Sequence, residues 1–153
     1  VQQVAACTAL IDAGDATSGN LAGLLDNRGM ALAQQHEYGR ALADFDEAIR
    51  LSPDNATAFY NRGRAHTGQK QYTQAISDFD EAIRLKPDFA AAFSNRGIVY
   101  GELNQNSRVI ADFDEAVRIK PNDASAANVR GLGYARLQQY ARAVTDYDTA
   151  IRL

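Results

Sequence analysis

From residue 22 onward, apolar side chains fall at three- and four-residue spacing, the period of an amphipathic helix, and the polar breaks between these stretches return in step. Between residues 56 and 89, Phe59, Gly63 and His66 share one face of a first stretch. Tyr72, Ala75, Phe79, Ala82 and Ile83 form a stripe on a second. The pattern predicts two helices in this segment, and it recurs. DFDEAIRL at 44–51 returns as DFDEAIRL at 78–85, DFDEAVRI at 112–119 and DYDTAIRL at 146–153, each copy starting 34 residues after the last. NRG at 27–29, 61–63 and 95–97 keeps the same step and becomes VRG at 129–131. Pro53, Pro87 and Pro121 follow the first three apolar runs, with Asp54, Asp88 and Asn122 next to them. Proline closes one helix there, and Asp or Asn is expected to cap the next. Counting from Ala22 gives units 22–55, 56–89, 90–123 and 124–153.

A single helix pair of this size cannot bury its apolar face alone, whereas stacking against the next pair makes a continuous core. Gly29 and Ala48, Gly63 and Ala82, and Gly97 and Ala116 leave room for close helix approach. The aromatics at 45, 79, 113 and 147 are then expected to fill the wedge between neighbouring pairs. The reading is all-α: a short right-handed stack of antiparallel helix pairs.

The register resembles the tetratricopeptide repeat family. Phe59, Gly63, Tyr72, Ala75, Phe79, Ala82 and Pro87 carry the family signature in the second unit, and Leu25, Gly29, Tyr38, Ala41, Phe45, Ala48 and Pro53 carry it in the first. The third unit departs at Asn106 and Val109, where the pattern expects an aromatic and an alanine, and the fourth starts from the small Ala127. The resemblance implies an α-solenoid, a right-handed superhelix whose concave groove is lined by the first helix of each pair and holds an extended peptide or a partner protein. Carried onto this sequence, the groove-facing candidates are Asn27 and Met30; Tyr60, Asn61, Arg64 and Thr67; Ser94, Asn95, Ile98 and Glu102; and Asn128, Leu132 and Arg136. Asparagine amides suit a peptide backbone, and Arg64 and Arg136 suit carboxylates. Some family members clamp an acidic chain terminus, but Asp26, Tyr60, Ser94 and Asn128 stand here where that scheme expects basic residues.

Residues 1–21 precede the repeats. Val4, Cys7, Leu10 and Ile11 have helical spacing and read as a capping helix with Cys7 buried, and residues 12–20 read as a loop rich in turn formers. After Leu153 no further helix covers the last pair, so either more chain or a second copy is expected against that end.

The arginine of each NRG or VRG has an acidic residue sixteen positions on, pairing Arg28 with Asp44, Arg62 with Asp78, Arg96 with Asp112 and Arg130 with Asp146. The simplest account is an ion pair joining the two helices of a unit, with the arginine stem covering apolar surface. An anion-binding ladder is the weaker reading, because the aspartates cancel its field. The adjacent acidic pairs, such as Asp44 and Asp46, read as a solvated edge, since residues two apart on a helix do not face together to hold a metal.

The 153 residues are 46% hydrophobic and 23% charged, which fits a folded chain, and the net charge of -3 offers nucleic acid or anionic membrane no general attraction. One cysteine excludes an internal disulfide framework, and no run is apolar enough to span a bilayer. His36 falls in a helix-helix turn and His66 reads as core. No nucleotide, zinc-hydrolase or nucleophile-elbow motif is present, so neither an enzyme nor a cofactor or metal is expected. Asn55-Ala56-Thr57 matches a glycosylation acceptor by pattern only. A peptide- or protein-binding adaptor is the leading reading. Self-assembly, through the uncovered last pair or through the odd turn of the third unit at Leu103-Asn104-Gln105-Asn106, is the alternative. The 13 Arg to 3 Lys and near-identical repeats suggest a bacterial, soluble chain, with cytoplasm and periplasm both open.

Overall fold

In a computed structural model that describes residues 2–12 and 18–153, the described residues form nine helices and no strand. They are α1 (Gln2–Asp12), α2 (Ser18–Gln34), α3 (Tyr38–Leu51), α4 (Ala56–Gly68), α5 (Tyr72–Leu85), α6 (Ala90–Glu102), α7 (Asn106–Ile119), α8 (Ala124–Arg136) and α9 (Tyr140–Arg152). The fold is the all-α helix-pair architecture of a solenoid. The loop read over 12–20 is shorter at both ends, because Asp12 closes α1 and Ser18 opens α2; residues 13–17 lie outside the described residues.

The chain forms two compact units, residues 1–85 and 86–153. In the first, α1 packs on α2, α2 pairs with α3 and α4 with α5, and α4 also meets α3 and α2. Its core joins Leu32, Ala41, Phe45 and Ala65, with Val4, Met30 and Leu42 packed against them. In the second unit α6 pairs with α7 and α8 with α9, and α7 meets α8.

Each hairpin turns through one left-handed residue: His36, Lys70, Asn104 and Gln138 have φ of 61°, 59°, 57° and 60°. The next amide reaches back to close the first helix, as Glu37 N does to Leu32 O and Gln71 N to His66 O. This is the Schellman arrangement, which satisfies carbonyls that the helix end would leave bare. Helix starts differ from the sequence reading by one residue. Asn55 Oδ1 accepts from Thr57 N at 3.0 Å and Asp123 Oδ1 from Ala126 N at 3.0 Å, so the caps are these residues rather than Asp54 and Asn122. Phe89, ahead of α6, makes no side-chain cap.

The aromatics close the wedge within each pair, rather than only between pairs as the pattern suggested. A Cβ built on Gly29, Gly63, Gly97 or Gly131 would stand 2.7 to 2.8 Å from the ring of Phe45, Phe79, Phe113 or Tyr147. Phe45, Phe79 and Phe113 are among the largest fully buried side chains. The glycine is therefore a steric requirement of the repeat, outweighing its poor helix propensity.

Candidate binding surface

Four arginines tie the first helix of each pair to the second. Arg28, Arg62, Arg96 and Arg130 each place Nε and a terminal nitrogen on both oxygens of Asp44, Asp78, Asp112 and Asp146, with closest contacts of 2.6 to 2.7 Å. The aspartates are buried and the arginine stems mostly covered. Arg62 and Arg96 also lie over the rings of Phe59 and Phe93. The acidic edge is not simply solvated: Arg62 also donates to Asp46 at 2.7 Å and Arg130 to Asp114 at 2.9 Å, reaching into the preceding hairpin. Burial works against the charge on Arg62, but Asp78 and Asp46 more than offset it and raise its pKa; Asp146 does the same for Arg130. With these guanidiniums engaged by carboxylates, the arginines hold the hairpins together.

The groove candidates gather in two places. In the first unit, Met30, Asn61 and Arg64 line a cavity of about 150 Å³ together with Ala33, Gln34 and Tyr38. In the second, Ile98, Glu102, Leu132 and Arg136 line another of about 160 Å³ with Gly101, Asn106 and Val129. The two are register equivalents, 68 residues apart along the chain: Met30 corresponds to Ile98, Gln34 to Glu102, Tyr38 to Asn106, Asn61 to Val129 and Arg64 to Leu132. Both are lined more by apolar than by polar surface, the second the more so.

The remaining candidates sit outside these cavities. Asn27 and Asn128 are exposed, and Tyr60 is half-buried beneath the Arg64 guanidinium. Thr67 and Asn95 turn hydrogen bonds back onto their own helices, to Gly63 O at 2.8 Å and Ala91 O at 2.8 Å, and Ser94 is half-buried. Cys7 is buried and His36 occupies a turn. His66 is half-buried rather than core, because its Nδ1 meets the Gln71 side chain at 2.6 Å near the hairpin turn. The Asn55 side chain is taken up as a helix cap. Among the described residues no cluster suits a metal ion, and no helix is long and apolar enough to cross a membrane.

One contact escaped the sequence reading. Asn61 is itself buried, and its Nδ2 lies 3.0 and 3.2 Å from the two oxygens of Asp26 on α2. Asp26 is 8% exposed, and burial raises its pKa above the usual carboxylate value against the lowering effect of the Asn61 amide. The 35-residue separation, one repeat plus one residue, was the available signal. Because the folded state favours the protonated form, Asp26 costs stability as pH rises through the carboxylate range, and the cost levels off once it is fully ionised. Asp26→Asn keeps the shape and is expected to stabilise the protein at pH 7 by on the order of 1 kcal/mol. The gap should close as pH falls towards 4, read from paired urea melts across that range; a gap independent of pH would discard the assignment.

Helix pairs that press an aromatic onto a glycine and recur every 34 residues define a stacked helical-hairpin repeat protein. Residues 27–90 match the tetratricopeptide repeat family model. Among solved structures it is similar to MamA, at 23% identity and a TM-score of 0.86 over 97% of this chain and 85% of that one. It is also similar to residues 41 to the end of MamA from Desulfovibrio magneticus RS-1, at 25% identity and 0.78 over 86% and 75%. The first tetratricopeptide repeat domain of Spaghetti (RPAP3), bound to the HSP90 peptide SRMEEVD, matches at 24% identity and 0.75 over 77% and 94%. No curated protein sequence is significantly similar to the chain.

Proposed function

We propose that this protein is a non-catalytic scaffold that holds an extended peptide or a partner protein against the first helices of its repeats. The observation that carries the reading is the pair of register-equivalent cavities, each opening beside side chains that a ligand can reach: Arg64 in one unit, Ile98 and Leu132 in the other. The peptide held by the similar Spaghetti domain supports this mode of use. The ligand differs in chemistry from an acidic terminus, since Asp26 stands in the first unit where a clamp of that kind would need a cation.

Truncating Asn61 would strip Asp26 of its hydrogen-bond donor and confuse binding with stability, so the test uses exposed positions. Arg64→Ala combined with Leu132→Ala is expected to weaken capture of the wild-type partner from source lysate at least about tenfold, while the melting temperature stays within about 4 °C of wild type. Equal capture by both proteins would overturn the groove assignment.

A second reading, self-association, has its own observation. On α9, Tyr140, Val144 and Ile151 are 64%, 56% and 82% exposed, whereas their counterparts Tyr38, Leu42 and Ile49 on α3 are half-buried. Asp148 stands in the register of Asp46 and Asp114, which arginines of the following helix hold. Light scattering on the same samples distinguishes the two: a mass rising with concentration, without a captured partner, favours association through α9.

A further inference from the structure

The repeats of one chain act as controls for one another, and the second unit's cavity is where the third repeat departs from its siblings. Position 106 is tyrosine in every other repeat, as Tyr38, Tyr72 and Tyr140. In the first unit Tyr38 lines the equivalent cavity and lies so close over Gly68 that a Cβ there would stand 2.5 Å from the ring. In the second unit that ring is replaced by Asn106, and Ala33 and Ala65 have become Gly101 and Gly133. A cavity of about 160 Å³ remains, floored by Val109 and Val129 and rimmed by Ile98 and Leu132, which are 46% and 44% exposed.

Asn106 does more than make space. Its Oδ1 is buried with no hydrogen-bond partner, the single such side-chain atom among the described residues. A buried acceptor without a donor is costly, and in native proteins it is rare enough to require a cause. A largely apolar pocket with a few convergent polar groups is the usual form of a side-chain recognition site, and here Asn106 shares the lining with Glu102 and Arg136. A dry cavity of about 150 Å³ takes a benzene-sized group, which fits a phenol.

We propose that this cavity receives a tyrosine side chain from the bound peptide, its ring against Ile98, Val129 and Leu132, and that the Asn106 side chain turns its Oδ1, shielded in the free protein, into the cavity to accept the phenolic O–H. The ligand thereby supplies the tyrosine that the repeat lacks. The inference rests on the peptide-binding reading above and names one residue of that peptide. The equivalent cavity in the first unit is filled at this position by the chain's own Tyr38, where the second has Asn106. Phenylalanine is a poorer occupant because it would leave the acceptor unmet, and sites built to bond a hydroxyl discriminate strongly against analogues without one.

The test uses p-cresol and toluene as probes of the whole chain, followed by the amide resonances of Gly101 and Gly133 in nitrogen-15 NMR. The expected result is saturable shifts at both glycines with p-cresol and at least about tenfold weaker binding of toluene. Asn106→Leu should bring the two probes to similar affinity. Asn106→Tyr, which restores the sibling residue, should abolish p-cresol binding and raise the melting temperature by a few degrees. Shifts that miss these glycines, equal binding of the probes to wild type, or an unchanged preference in Asn106→Leu would overturn the pocket. Selection of displayed peptides separates this inference from the broader one. Tyrosine-bearing peptides lost on Asn106→Tyr support both. Peptides without tyrosine that bind wild type and Asn106→Tyr alike overturn the pocket and leave the groove. A failure to select any peptide, with p-cresol still bound through Asn106, sinks the groove and keeps the pocket.

Discussion

Arg62→Leu is expected to destabilise the protein by about 3 kcal/mol, near the lower end of what is lost when one partner of a buried ion pair is removed. Asp78, 4% exposed, would lose its two-point partner. The nearest other candidate is His66, whose Nε2 stands 3.8 Å away, beyond good hydrogen-bond reach. Asp46 would lose its contact too, but it is exposed and water can take over. Removing the charge as well should recover part of the loss, so Arg62→Leu with Asp78→Leu is expected to be more stable than Arg62→Leu alone. Urea midpoints at neutral pH measure this. A single variant within about 0.5 kcal/mol of wild type would mean that the pair contributes little.

The second large effect is at the aromatic seat. Phe79→Ala should cost about 3 to 5 kcal/mol, because the ring is fully buried and its removal leaves a cavity. Its glycine neighbour makes the prediction sharper. In the wild type, Gly63→Ala is expected to destabilise by about 1 to 2 kcal/mol, since the new methyl would stand 2.8 Å from the ring and 3.2 Å from Asp78 Cβ. In the Phe79→Ala background the same change should lose most of its cost, because the ring is gone and alanine's better helix propensity offsets the remaining 3.2 Å contact with Asp78 Cβ. An undiminished cost in the double-mutant cycle would show that the ring does not impose the glycine.

The helix pairs were legible because four near-copies report the same period independently, and the sixteen-residue arginine–aspartate spacing lay in plain view. What the chain hid was of two kinds. Some features depend on one-residue geometry: Asn55 rather than Asp54 caps α4 because the turn after Pro53 uses Asp54 first, leaving Asn55 to present its oxygen to Thr57 N. Others arise between repeats. The spacing of sixteen runs backwards as well as forwards, joining Arg62 to Asp46, and Asn61 meets Asp26 across one repeat plus one residue. A comparison of siblings within the register does not test such diagonal pairs. Asn106 was legible as a departure, but only the fold shows that its oxygen is left without a donor.

Arg62 and Arg130 each hold carboxylates from two successive hairpins with a single guanidinium. Where stability is a sum of repeat and neighbour contributions, such a shared cation adds a modest, partly solvated increment to the contact between neighbouring hairpins within each unit. Fraying of α4 and α5 would release Asp46 as well as Asp78, so within the first unit the two hairpins lose protection together. The outcome is a charge link between hairpins that works beside the packing of α4 on α3.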